Sequence, residues 1–276
     1  MISFLKCNAL KLRNPKETDK VSGPSFSGAK RHEFFIAGNK LTFRAPHHSP
    51  HYNSSGWLTS KKFEVMDEPF RSFASGLFAV DAWESASVYS RAWGFYYSMF
   101  GGNAGQLSMY VGINKRKGKY EYCSGSLLHP KTFETTLSLY LTNLFGWKTL
   151  MGKASYKAPI NWIVNKSFPV PAASYDVAGS NEERVFVFPI TDKHFVEVNF
   201  SYIGRGKNVR ESMRALVDRI IESMSLELSA ETQGLIEQVK QGSPGIELTE
   251  CFAPLKWPVA KEDVEKHEGL ERELLS

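Results

Sequence analysis

An α+β fold, with antiparallel β-sheet flanked by helices, follows from three adjacent stretches of this chain. Arg184-Val-Phe-Val-Phe-Pro-Ile190 is a run of β-branched and aromatic residues, the composition of a strand. Beyond Thr191-Asp192-Lys193, the residues Val196, Val198, Phe200 and Tyr202 alternate with Glu197, Asn199 and Ser201. That period of two marks a strand with one buried and one wet face. Gly204 and Gly206 break the strand, after which Val209, Met213, Leu216, Val217, Ile220, Ile221 and Met224 recur at helical spacing. Asn208 fits an N-cap, and Glu211 three residues on completes a capping-box pattern.

Taken in chain order, residues 1–32 form a polar lead-in, basic and interrupted by Pro15, Gly23, Pro24 and Gly28. Glu33 to Ala45 predicts a hairpin, because Phe34-Phe35-Ile36 and Leu41-Thr42-Phe43 flank a turn at Gly38-Asn39, residues that tolerate positive φ. Pro46 to Gly56 is loop. Strands are expected near Phe63–Met66 and Gly76–Trp83, with a further strand or strand pair through Ser87–Met99. Phe100 to Gly105 is a turn feeding a strand at Gln106–Ile113, followed by a basic tip at Asn114–Lys119 and a return at Tyr120–Cys123. Pro130 opens a helix where its missing N–H costs nothing, Phe133, Leu137, Tyr140, Leu141 and Leu144 supply its apolar stripe, and Gly146 closes it. After a proline-containing connection with a short strand near Asn161–Val164 comes the strand–strand–helix unit, then a weaker helix capped by Ser229 and ending at Gly242.

Each half therefore runs from strands into a helix. The expected division is a lead-in at 1–32, an N-terminal α+β lobe at 33–147, a C-terminal α+β lobe at 148–257 and a charged tail at 258–276. Two arrangements satisfy this pattern: two similar lobes, or one sheet covered by helices.

Composition narrows the function classes. A net charge of +5 is mildly basic, and Lys11–Lys20, Lys30-Arg31, Lys61-Lys62 and Lys115–Lys119 are each too sparse for a nucleic-acid surface. Cys7, Cys123 and Cys251 are far apart and form no CxxC pair, which argues against a disulfide framework or a thiolate zinc site. No run approaches the roughly 18 apolar residues of a membrane-spanning helix. A soluble, cytoplasmic protein is expected, or a periplasmic one if a leader has been trimmed. Aromatic residues make up 13% of the chain, a surplus suited to a large sheet or a binding face.

Candidate sites are few. His47, His48 and His51 lie on one loop and carry the metal-ligand chemistry of imidazole, against which Pro46 and Pro50 stiffen the backbone. The glycine-rich turn Phe100–Gly105 lacks the lysine and the following helix of a phosphate loop. Arg205 and Lys207 stand beside Gly204 and Gly206 ahead of a helix, the geometry of an anion or partner contact. Ser124 and Ser126 near His129, Cys123 with His129, and Cys251 with His194 lack a third group to hold a general base. Asp81 and Glu84, flanked by Trp83 and Trp93, are the one carboxylate pair to inspect. Trp93, Tyr96 and Tyr97 are the candidate partner-binding aromatics, since Tyr96 and Tyr97 cannot both face one side of a strand.

Arg184–Ile190, His194–Phe200 and the helix Val209–Met224 resemble proteins of the PsbP-like fold, and the Gly38 hairpin followed by Ala45-Pro46 is similar to the opening strands of such domains. Bacterial immunity proteins and accessory binding proteins have this look. The resemblance implies a non-enzymatic binding module without cofactors, and a protein partner such as a toxin that it neutralises. The alternative carried by the residues themselves is a metal-dependent hydrolase or metal-binding protein built on His47, His48 and His51.

Overall fold

The structure is a computed structural model that describes residues 20–51, 56–58, 62–63, 71–73, 80–97, 102–116, 125–145, 161–162, 168–178, 182–204 and 206–245. It confirms the α+β class: antiparallel sheets with three helices among the described residues. The strands are β1 (Val21–Ser22), β2 (Lys30–Ile36), β3 (Asn39–Ala45), β4 (Trp57–Leu58), β5 (Lys62–Phe63), β6 (Arg71–Phe73), β7 (Val80–Tyr97), β8 (Asn103–Arg116), β9 (Asn161–Trp162), β10 (Ala173–Ala178), β11 (Glu182–Pro189), β12 (His194–Gly204) and β13 (Ser225–Glu227). The helices are α1 (Pro130–Phe145), α2 (Lys207–Glu222) and α3 (Ala230–Gly242).

One curled sheet of nine strands runs in the order β1-β7-β8-β12-β11-β10-β9, with β4 and β6 also paired to β7. A smaller sheet follows the order β13-β3-β2-β5. Of the two arrangements the sequence leaves open, the single shared sheet is the observed one. Strand β8 of the N-terminal half pairs with β12 of the C-terminal half from His194↔Lys115 to Gly204↔Gly105, so the boundary at 147/148 falls at no break in the sheet.

The long strand β7 corrects the expectation of separate strands at Gly76–Trp83 and Ser87–Met99. A bulge between Ser87 and Tyr89 adds a residue without ending the strand, which lets both Val88 and Tyr89 be buried. Short segments cover its outer edge in series. Val21–Ser22 pair with Tyr97–Tyr96, Ser49 bridges to Trp93, Trp57–Leu58 pair with Ser90–Tyr89, and β6 lies against Val80–Ser85. Such coverage removes the exposed edge that would otherwise template aggregation. It also corrects the lead-in: residues 21–22 and 30–32 are already strand.

Two further boundaries differ from the sequence reading. The hairpin turn lies at Ala37 (φ 50°) and Gly38 (φ 73°), the positive pair of a type I′ turn, and Asn39 is the first residue of β3. Asn39 leaves the turn because its amide is needed inside. It is fully buried, donates to the carbonyls of Ile36, Ala37 and Ile190, and accepts from the Ser229 amide. Helix α2 begins at Lys207 behind Gly206, whose φ of 99° suits glycine, and no side chain caps it, so Asn208 lies inside the helix. Ser229 does cap α3, accepting from the Thr232 amide. The Cys7, Cys123 and Cys251 positions, the Lys117–Lys119 tip, Gly146 and the charged tail lie outside the described residues.

Each face of the large sheet has its own core. On one face Val196, Val198, Phe200 and Tyr202 are buried, as their alternation predicts, with Leu107, Met109, Val111 and Ile113 of β8 beside them. The smaller sheet and α2 complete this cluster with Phe34, Ile36, Leu41, Phe43, Val209, Met213, Val217 and Ile220. The opposite face is packed by α1, whose Phe133, Leu137, Tyr140 and Leu141 meet Trp83, Tyr175, Val185, Val187 and Phe195. Rings there meet edge to face, with Trp83 and Phe195 centred 5.0 Å and 5.1 Å from Tyr140.

Candidate functional site

The second face of the sheet changes character from row to row, and the register shows where. One row crosses β7, β8, β12 and β11 as Ser87, Gly112, Glu197 and Val187. The next is Ser90, Tyr110, Asn199 and Val185, and the one after it Ala92, Ser108, Ser201 and Glu183. Around Trp83 and Phe195, and along β10 and the Val185–Val187 part of β11, this face is apolar and lies under α1. On β7, β8 and β12 it is a floor of small polar residues. Ser87 is exposed, and Ser90, Ser108, Tyr110, Glu197, Asn199 and Ser201 are half-exposed.

Two tyrosines lie along this floor because a glycine two residues away makes room. A methyl group at Gly112 would fall 2.7 Å from the Tyr110 ring, and one at Gly94 would fall 2.9 Å from the Tyr96 hydroxyl. The Tyr110 hydroxyl shares a 2.8 Å hydrogen bond with Ser87 across the strands. The result is a shallow polar surface with aromatic rings set into it, ending where α1 begins.

Glu197 stands at that end. The Tyr140 hydroxyl donates to its Oε2 at 2.6 Å from α1, and Asn114 Nδ2 donates to the same oxygen at 3.3 Å from β8. Burial pushes its carboxyl up to about 7, with the charge of Glu183 adding to the rise and the two hydrogen bonds opposing it. Burial and the adjacent Glu197 charge push Tyr140 well above the usual phenol range, so it stays a neutral donor. Glu197 keeps a partly open surface although its carboxyl is set deep among neighbouring atoms. Asn114 is 1% exposed, and its Oδ1 has no hydrogen-bond partner. Nor does Oγ1 of Thr136, which lies one helical turn before Tyr140 on α1.

The residues picked out from the sequence lie on β7, on the histidine loop and at the start of α2. Trp93 is fully buried and donates from Nε1 to the Pro46 carbonyl, so it is a core ring that no partner reaches, a correction to its reading as a surface aromatic. Tyr96 and Tyr97 are both half-exposed, Tyr96 edge to face with His51 at 5.7 Å and Tyr97 packed against the core. Lys207 is exposed at the start of α2, 3.8 Å from Glu211, and Arg205 lies outside the described residues. In the histidine loop, His47 turns Nδ1 to the His48 carbonyl, and the His48 ring nitrogens face the amides of Gly56 and Ala92. Those contacts tie the loop to β7, and among the described residues no three His, Cys, Asp or Glu side chains are grouped to hold a metal. Glu84 is ion-paired with Lys115 at 3.3 Å, which gives that carboxylate a structural partner.

Sequence reasoning assigns Glu197 to the wet face of its strand and Tyr140 to an apolar helical stripe. Each assignment is locally sound, and neither shows that the two groups meet. Among the described residues, no helix is long and apolar enough to cross a membrane. No protein-family model, curated protein or solved structure matches this chain.

Proposed function

We propose that this protein is a non-enzymatic binding module that docks a protein partner on the polar face of β7, β8 and β12. The observation that supports this reading is the row register, which sets Ser87, Ser90, Ser108, Tyr110, Asn199 and Ser201 side by side, with Ser87 exposed and the other five half-buried. Besides Glu183 and Glu197, the face carries short hydroxyls, an amide and a tyrosine that lies flat, groups that hydrogen-bond a partner at little entropic cost. Tyr96 and His51 extend the same face toward the end of β7. The resemblance to PsbP-like proteins implies the same role, with a neutralised toxin as one form of the partner.

The test is affinity capture from the native organism with the wild-type chain and a Ser87→Arg variant. Ser87 is exposed, so an arginine there reaches solvent without entering the core while obstructing the face. The expected result is one dominant protein at equal stoichiometry, lost or weakened at least about tenfold in the variant, which is about 1.4 kcal/mol of binding energy. Equal capture by both chains removes this face from the interface, and an empty eluate from both overturns the reading.

A further inference from the structure

We propose that His32 is an acid-sensitive latch between the two sheets, closed while its ring is neutral and released when the ring takes up a proton. The smaller sheet meets β7 through a cluster of four rings: His32 and Phe34 of β2, Phe43 of β3 and Tyr89 of β7. Tyr89 stands edge to face with Phe34, Phe43 and His32 at 5.6, 5.2 and 5.3 Å, and His32 also lies 5.6 Å from Phe43. Phe34, Phe43 and Tyr89 are buried, and the Tyr89 hydroxyl has no hydrogen-bond partner among the described residues, so ring contacts hold that side chain in place. His32 is half-buried, so it touches the cluster and still meets water.

The surroundings of His32 oppose a charge on its ring. The Arg91 guanidinium of β7 sits 4.9 Å from the centre of the Tyr89 ring, so a cation already occupies this cluster. Arg91 on β7 and Lys30 on β2 are the charged groups that act on His32. Strand β3 presents the uncharged Phe43 ring, and the adjacent Glu33 is paired with Arg31 and Lys40 instead. Burial first, then the two positive charges, hold the His32 pKa below its ordinary value. The folded chain therefore binds this proton more weakly than an opened one. Contact between the sheets is strongest above about pH 6.5 and weakens as pH falls below it. A protonated ring gains water, and distance from Arg91, when β2 draws back from β7. This device does not rest on the docking reading, since Tyr89 faces the core on the side of β7 away from Ser87 and Ser90.

The test is amide hydrogen exchange of the full chain and its His32→Phe variant between about pH 7.5 and 5, corrected for intrinsic exchange rates and read by mass spectrometry. Phenylalanine keeps a ring against Phe43 and Tyr89 but cannot take up a proton. The β10–β11 ladder, which holds no histidine, is the internal reference. In the wild-type chain, protection across β2 and β3 is expected to fall at least about fivefold relative to that reference. The ceiling is about thirtyfold, set by an imidazole that recovers its ordinary pKa on opening. In His32→Phe the ratio is expected to stay flat. NMR of the wild-type chain adds the titration of the His32 ring protons, with an expected midpoint below about 6.5 and the Tyr89 ring resonances moving at the same pH. Equal loss of protection in both chains, no loss in the wild type, or a His32 midpoint at or above about 6.5 overturns the proposal. The last of these depends on no variant folding.

Discussion

Asn39 concentrates in one side chain what holds three distant segments together. Its amide donates to carbonyls at the β2–β3 turn and to Ile190 after β11, and its oxygen receives the Ser229 amide at the head of α3, all from a fully buried position. Removing a buried polar partner costs more than the net worth of its bonds, because the groups left behind stay dry and unpaired. Asn39→Ala is therefore expected to destabilise the fold by about 2–4 kcal/mol in a urea titration. Asn39→Asp, which keeps the acceptor but replaces the donors with a buried charge, should cost at least as much. A loss below about 0.5 kcal/mol for both would show that the turn and α3 are held elsewhere. The sequence marks Asn39 as a turn residue, which is its local preference. Its real position is decided by carbonyls that come from outside the hairpin.

Elements were legible where their signals are local, and misplaced where a neighbour sets the boundary. Pro130 starts α1 and Ser229 caps α3 as their residue types dictate. The start of α2 is different, because the strand before it runs to Gly204 and its glycines answer to packing. A methyl group at Gly105 would lie 2.3 Å from the Ile203 carbonyl oxygen and 2.8 Å from Met213 of α2, and Gly204 faces Gly105 across β8 and β12. The helix thus reaches the sheet over a pair of glycines. Gly105→Ala should cost about 1–3 kcal/mol through overpacking against backbone that cannot yield. Ser229→Ala should cost about 1 kcal/mol through loss of a single cap. Thermal denaturation of the two variants checks the order; Ser229→Ala as the more damaging change would contradict the close approach at Gly105. The bulge in β7 was invisible for a related reason. An inserted residue shifts the alternation, which in sequence looks the same as the end of one strand and the start of another.

Across the whole molecule, two buried titratable groups oppose each other in acid. Burial and nearby lysine charge push His194 down to about 4, so the folded chain takes up its proton later than the unfolded chain does. Stability from that group is present above about pH 6.5 and is lost as pH falls toward 4. Glu197, raised to about 7, acts in the other sense: the folded state holds its proton more tightly, so stability is gained as pH falls from 7 toward the ordinary carboxylate range. Glu197→Gln removes only the second effect. It should stabilise the chain by about 1–3 kcal/mol above pH 7, after discounting for the partly open surface of Glu197, and the gain should vanish near pH 4.5. Chemical denaturation of both chains from pH 4.5 to 8 reads the difference directly, and a gap that does not change with pH would rule out Glu197 as its source. The sequence by itself determined the periods: which residues of β12 turn inward, which face of α1 is apolar, that a hairpin joins β2 to β3 and where α3 is capped. Those properties depend on neighbours a few positions away. The tertiary structure alone decided that β8 pairs with β12 in one sheet, that short segments close the edge of β7, and that α1 covers β10 and β11 but leaves the rows of β7, β8 and β12 polar. It also brought Tyr140 and Asn114 onto Glu197 and made an apparently solvated carboxylate a desolvated one. The physical reason is that strand pairing and desolvation are properties of segments that meet across long loops, and no local pattern of residues specifies which segments meet.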